Sequence, residues 1–211
     1  MTGPVWVIVV AAGRGSRFGG AKQYEPLAGR RVLDWSLEAA RSVADGVVVV
    51  VPPWRAADDE PLADAWVPGG STRSESVRAG LDEVPDDAEV ILVHDAARPL
   101  ASPALFAAMV AAIRDGAAAA VPGVAVVDTL RRRDGGAVDR EEVLAVQTPQ
   151  AFASATLRAA HADGADATDD ATLAERVGAA VVVVAGEPVN RKITDPGDLV
   201  AAESHLREAG S

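Results

Sequence analysis

Between Val5 and Tyr24 the sequence reads VWVIVVAAGRGSRFGGAKQY. Gly13, Gly15, Gly19 and Gly20 fall within eight positions, with Arg14, Arg17 and Lys22 among and just after them. Glycines let backbone amides come close to a ligand and converge on it. Three cations in the same stretch demand a ligand with several negative charges, most simply a polyphosphate. Two familiar alternatives do not fit. Phe18 stands where a dinucleotide fingerprint needs its third glycine, and the Gly-Lys-Ser/Thr of a P-loop is missing. A purely structural glycine loop would not require two arginines and a lysine.

Four further clusters could bind or react. GGSTRSESVRAGL (69–81) is a glycine pair running into a helix, with Ser74 or Ser76 placed to cap it or to meet a ligand. HDAARP (94–99) follows an apolar run, so Asp95 and Arg98 sit where open α/β sheets bind ligands. His94 reads as a structural hydrogen-bonder, because no second His or Cys lies nearby to complete a metal set. Thr168-Asp169-Asp170 caps a helix, a position suited to phosphate or sugar oxygens as well as to plain capping. GEPVNRKIT (186–194) carries Lys192. Only Lys22 and Lys192 are lysines among 20 basic residues, so a compact charge on a flexible stem is expected to matter at both.

Short β-branched runs at 5–10, 47–51, 89–93, 117–121 and 179–184 predict buried strands. Helical patterns over 32–43, 73–81, 102–115, 155–162, 169–178 and 195–207 alternate with them. The pattern predicts a Rossmann-like, doubly wound, mostly parallel α/β sheet with helices on both faces. Residues 1–211 are expected to form a single domain. The rhythm breaks at 124–147, where two alternating segments surround Asp134-Gly135-Gly136. That predicts a projecting β-hairpin arm, carrying Arg131, Arg132, Arg133 and Arg140, of the kind that reaches a partner subunit. Residues 54–67 read as an exposed, variable region without catalytic role, and Thr148-Pro149 as a turn.

A net charge of −11 argues against general nucleic-acid or anionic-membrane binding. The absence of Cys excludes disulfides and thiolate chemistry. No apolar run reaches membrane-spanning length and no signal-peptide pattern opens the sequence, so a cytoplasmic protein is expected.

The AAGRGSR loop resembles the signature of the sugar-nucleotide pyrophosphorylase group. AAGRGSRFGGAKQY, GGSTRSES, HDAARP, VDR at 138–140, QTPQAF and TDDA together resemble the 2-C-methyl-D-erythritol 4-phosphate cytidylyltransferase family. The resemblance implies nucleotidyl transfer from CTP to a sugar-alcohol phosphate, with pyrophosphate released and Mg²⁺ as cofactor. It implies CTP contacts at Ala11, Ala12, Gly13, Gly15, Arg17, Lys22, Gly70, Ser76, Asp95 and Ala96. It places Arg98, Thr129, Arg140, Thr148, Thr168 and Lys192 at the sugar phosphate, with Arg17, Lys22, Arg140 and Lys192 catalytic. Mg²⁺ would be held mainly by phosphates, with Asp95 the best protein candidate. A homodimer is implied, its arm placing Arg140 over the neighbour's site. Arg191 stands where the family has Ile, and Ser71 where it often has an acidic residue. Ribitol-5-phosphate cytidylyltransferases share most of these motifs, and HDAARP and TDDA favour the methylerythritol branch.

Overall fold

The computed structural model describes residues 3–55 and 60–209. The elements follow in order. β1 (Val5–Val10) leads through the glycine loop to a small hairpin, β2 (Pro26–Leu27) and β3 (Arg30–Arg31), and then to α1 (Val32–Arg41) and β4 (Gly46–Val51). Next come β5 (Ala65–Pro68), α2 (Arg73–Asp82), β6 (Val90–Asp95), α3 (Pro103–Arg114) and β7 (Ala119–Ala125). The arm holds β8 (Leu130–Arg131) and β9 (Ala137–Val138) and returns through β10 (Leu144–Val146). β11 (Gln150–Ala153), α4 (Ser154–His161), α5 (Asp170–Arg176), β12 (Val181–Ala185) and α6 (Pro196–Ala209) complete the chain.

β5, β4, β1 and β6 lie side by side and parallel. β11 runs antiparallel between β6 and β7. β10 pairs antiparallel with the far end of β7, and β12 pairs parallel along its other side. Side chains alternate across the strands as the pleat requires. Val7, Val9, Val49 and Leu92 pack with Leu33, Leu37, Phe106 and Met109 from α1 and α3. Ile8, Val48, Val50, Ile91 and Val93 pack on the opposite face with Val77, Leu157 and Leu173 from α2, α4 and α5. Both faces are covered, so the central strands need no polar alternation, and β4 and β6 are buried throughout. The doubly wound, mostly parallel architecture is the one the sequence predicts.

Four local expectations are corrected. Gln150–Ala153 is a strand rather than the sequel to a turn, and it supplies the antiparallel member of the sheet. β12 is not buried: Val182 and Val183 are 40% and 56% exposed, because among the described residues β7 is its only neighbouring strand. The 54–67 region is not wholly exposed, for β5 joins the sheet and Glu60 is buried against Arg31 at 2.8 Å. Residues 56–59 of that region lie outside the described residues. Finally, Thr72 rather than Ser74 or Ser76 caps α2, and Asp169 rather than Thr168 caps α5. Among the described residues no helix is long and apolar enough to cross a membrane.

Candidate active site

β1, β5 and β6 end on the same edge of the sheet, and the segments leaving them form a cleft of about 330 Å³. The strand order reverses about β1, and such a switch point is where open α/β sheets bind ligands. The glycine loop forms one wall. Its fold turns on Gly15, whose φ of 61° and contact with the Gly20 carbonyl leave no room for a Cβ. The Gly15 carbonyl accepts from the amides of Phe18, Gly19 and Gly20 at 2.9, 2.9 and 3.3 Å. The loop then re-enters a single 3-10 turn, Lys22–Tyr24. Gln23, 3% exposed, donates from Nε2 to Ala11 O at 2.6 Å and to Gly13 O at 3.1 Å. This ties the two ends of the loop together and sends Lys22 into the cleft.

Gly69, Gly70 and α2 form the opposite wall. A Cβ on Gly69 would lie 2.3 Å from Ala12 Cβ and 2.8 Å from Ser76 Oγ. Glycine therefore lets this segment close on the first loop. Thr72 caps α2 in a capping box with Glu75, which fixes Arg73 in the first turn.

Arg73 reaches two carboxylates. Its Nε lies 3.3 Å from Asp95 Oδ1 and its Nη1 2.7 Å from Asp170 Oδ2. Asp95 Oδ2 also takes Lys192 Nζ at 2.6 Å. Burial pushes the Asp95 carboxyl up, but the Arg73 and Lys192 charges outweigh it and hold the group well below the usual carboxylate range. Asp95 is therefore an anion at any working pH. Burial drives the Lys22 ammonium below its ordinary value, and the Lys192 and Arg17 charges add to the effect. Lys22 Nζ donates to Ile193 O, so the two lysines meet around one backbone segment.

A second cleft of about 240 Å³ adjoins the first. Arg98, Thr148, Thr168 and Lys192 line it, together with Gln150 and Asp169. Arg73, Asp95 and Lys192 line both clefts. Thr148 Oγ1 accepts from Asp95 N at 3.0 Å and lies 3.2 Å from His94 Nδ1. His94 Nε2 sits 3.3 Å from Arg98 O, and burial lowers the imidazole pKa to about 4. His94 is thus the neutral structural residue that the sequence suggests. Arg98 Nη1 donates to Asn190 O at 2.8 Å. Asn190 is itself held through Nδ2 on Thr148 O at 2.9 Å, which fixes the segment carrying Lys192.

Ala11, Ala12, Gly13, Gly15, Arg17, Lys22, Gly70, Ser76, Asp95 and Ala96 thus all line the first cleft. Thr129 and Arg140 line neither. Both are exposed on the arm, where Arg140 Nη1 donates to Val127 O at 2.8 Å. Arg73 and Gln23 are residues of the site that the sequence did not single out. Arg73 looks like any helix-start arginine until Asp95 and Asp170 are folded against it. Gln23 had one available signal, its place directly after the loop lysine.

Among the described residues, Asp95 is the only carboxylate lining the first cleft. Nor does any group of three or more described His, Cys, Asp or Glu gather as a metal cage. That donor set fits a hard cation held mostly by phosphate oxygens with one protein carboxylate.

The model of the family described as 2-C-methyl-D-erythritol 4-phosphate cytidylyltransferase (IspD) matches residues 5–208. The chain is similar to the protein of that description from Prochlorococcus marinus (strain MIT 9313), with 43% identity over 218 residues, 94% of this chain and 96% of the relative. It is 41% identical over 227 residues to the bifunctional enzyme IspD/IspF of Nitratidesulfovibrio vulgaris (strain DP4). There it spans 58% of the relative's length. The crystal structure of 2-C-methyl-D-erythritol 4-phosphate cytidylyltransferase from Thermus thermophilus superposes with a TM-score of 0.83 at 40% identity, covering 97% of this chain and 99% of that one.

Proposed function

Because the chain belongs to the 2-C-methyl-D-erythritol 4-phosphate cytidylyltransferase family, we propose that it converts CTP and 2-C-methyl-D-erythritol 4-phosphate to 4-diphosphocytidyl-2-C-methyl-D-erythritol and pyrophosphate. The observation that carries this reading is the junction of two clefts at Arg73, Asp95 and Lys192. One cleft has the glycine loop and the cations a triphosphate needs. The other has hydroxyls and cations suited to a phosphorylated sugar alcohol.

An oxygen of the acceptor phosphate attacks the CTP α-phosphorus. The bond to the bridging oxygen of the β-phosphate breaks, and that oxygen leaves with pyrophosphate. A phosphate monoester has a second pKa of about 6, so the nucleophile is largely deprotonated at neutral pH and no general base is required. The protein's task is positioning and charge neutralisation. Loop amides and Arg17 take the triphosphate, with Lys22 stabilising the charge that grows on the leaving group. Gly70 and Ser76 meet the cytosine base. Lys192 leaves Asp95 to take the acceptor phosphate and draws it toward CTP against like-charge repulsion. Mg²⁺, held by phosphate oxygens and Asp95, would spread the triphosphate charge and polarise the α-phosphorus.

The arm completes the site in this reading. Arg140 would act on the acceptor phosphate of a second copy, in a homodimer. Exposed apolar residues on and beside the arm support that pairing: Val127 is 80% exposed, Leu144 48% and Val183 56%. Leu144 and Val183 approach Gly123 from the strands flanking β7, and exposed apolar side chains gathered in one place are a common mark of an interface.

The test is pyrophosphate release from CTP and Mg²⁺, with methylerythritol phosphate and ribitol 5-phosphate in parallel. Release with the first alone is expected. Release with ribitol 5-phosphate alone would keep the mechanism and change the acceptor.

A further inference from the structure

The acceptor cleft contains a side chain that bridges two of its walls. Gln150 is 1% exposed at the start of β11, two residues after Thr148. Its Nε2 donates to Asp169 Oδ2 at 3.1 Å, and its Oε1 accepts from Ala171 N at 3.2 Å. Asp169, directly after Thr168, is the N-cap of α5, and Ala171 lies in its first turn. One amide therefore ties the segment carrying Thr148 to the segment carrying Thr168, and both threonines line the cleft.

The 163–169 loop has other anchors: Arg176 Nη1 of α5 donates to Asp166 O at 3.1 Å, and the rest lie on α2 or its cap. Thr72 Oγ1 donates to Asp166 Oδ1 at 2.7 Å, Ser74 Oγ accepts from Ala167 N at 3.2 Å, and Arg78 Nη1 donates to Ala165 O at 2.9 Å. Asp170 is held by Arg73 and His161. These bonds hold the loop on α2, and they brace α5 against Thr148 only indirectly, through Asp95 and through α4. Among the described residues Gln150 makes the two side-chain hydrogen bonds that run directly from the Thr148 segment to the start of α5.

We infer that Gln150 is a positioning residue that fixes the span between Thr148 and Thr168, and so sets which sugar alcohol the cleft accepts. The inference rests on reading this cleft as the acceptor site. A branched four-carbon chain and an unbranched five-carbon chain differ in length and in hydroxyl placement. A wall held by two bonds of one buried amide discriminates between them; a wall free to move does not. Asp169 is spent on capping α5 and on Gln150, so its contribution is to hold Thr168 in place rather than to bind substrate.

Two variants separate this role from general support of the fold. Gln150→Met keeps the volume and removes both bonds. Gln150→Glu keeps the length and the acceptor for Ala171 N but sets a second carboxylate against Asp169. Each is assayed with both acceptors and with CTP varied, alongside thermal melting. The KM for methylerythritol phosphate is expected to rise about tenfold, while the KM for CTP stays within about twofold. The ratio of kcat/KM between the two acceptors should narrow about tenfold. A residue that merely supports the fold would reduce kcat equally with both acceptors and leave both KM values in place; that result overturns the inference. So does failure of both variants to fold. A wild type that uses only ribitol 5-phosphate would change the proposed acceptor yet still test Gln150, since discrimination should narrow from the other side. A wild type silent with both would remove the functional reading and this inference with it.

Discussion

Lys192 Nζ lies 2.6 Å from Asp95 Oδ2, and the other oxygen of that carboxylate takes Arg73 Nε at 3.3 Å. One buried anion thus balances two cations at the junction of the clefts. The two ends of this arrangement should respond differently to mutation. Asp95→Asn leaves Lys192 without its carboxylate and Arg73 with Asp170 alone, at a cost of about 3 kcal/mol of stability in urea denaturation. Lys192 is 41% exposed, so Lys192→Met should cost under about 1 kcal/mol. Its turnover should nevertheless fall by about a hundredfold, as for loss of a transition-state cation. A Lys192→Met enzyme with near-normal turnover would remove this lysine from the mechanism.

Lys22 gives a pH signature. Its ammonium is held below the ordinary lysine value by burial and by Lys192 and Arg17. The protonated form is the useful one, so kcat/KM for CTP should decline on the alkaline side before an ordinary lysine would titrate. That parameter reports the free enzyme. Lys22→Arg should push the alkaline limb upward even if it lowers the maximum. An unchanged limb would assign it to another group.

His94 predicts acid sensitivity of the fold. Its pKa falls from 6.5 to about 4 because the neutral ring is buried between Thr148 and Arg98 O. The unfolded chain takes up a proton near pH 6.5 and the folded chain does not until about pH 4. The contribution is complete above the unfolded value and is lost as pH falls through this window, amounting to about 3 kcal/mol. Melting temperatures measured from pH 7 to pH 4 should fall accordingly. His94→Gln, which cannot titrate, should flatten the His94 part of that decline even though its starting stability is lower.

The arm predicts complementation. Arg140→Ala should weaken use of the acceptor phosphate with little change toward CTP. Mixed with Lys22→Ala protein under exchange conditions, it should regain part of the lost activity, because one of the two shared sites in a hybrid dimer carries both wild-type residues. No recovery, with exchange verified by mass, would place each site within one chain.

Much of the first cleft is legible from one dimension because it is built from short contiguous segments. Each follows a strand, and a β-branched run ending in glycines or polar residues marks the strand's end. Gly13 to Lys22, Gly70 to Ser76 and Asp95 to Arg98 therefore stand out. Boundaries and caps are less visible. Thr72 and Asp169 take the capping roles that Ser74, Ser76 and Thr168 could have taken, because any hydroxyl or carboxylate near a helix start satisfies the local rule. β11 is not visible in the sequence because QAFA is only four residues long and is recruited by β6 and β7 from both sides.

The sequence by itself determined the doubly wound sheet, the glycine-rich loop with its cations and the two lysines that meet beside it. Those depend on local period, on glycine spacing and on charge, all of which are written along the chain. Tertiary structure decided which charges pair. Arg73 meets Asp170 and Lys192 meets Asp95, each across 97 residues, and Gln150 reaches Asp169 and Ala171. A buried ion pair or amide bridge depends on where the sheet order sets two segments side by side. No local rule carries that information, since burial in common rather than nearness in sequence makes such groups seek one another.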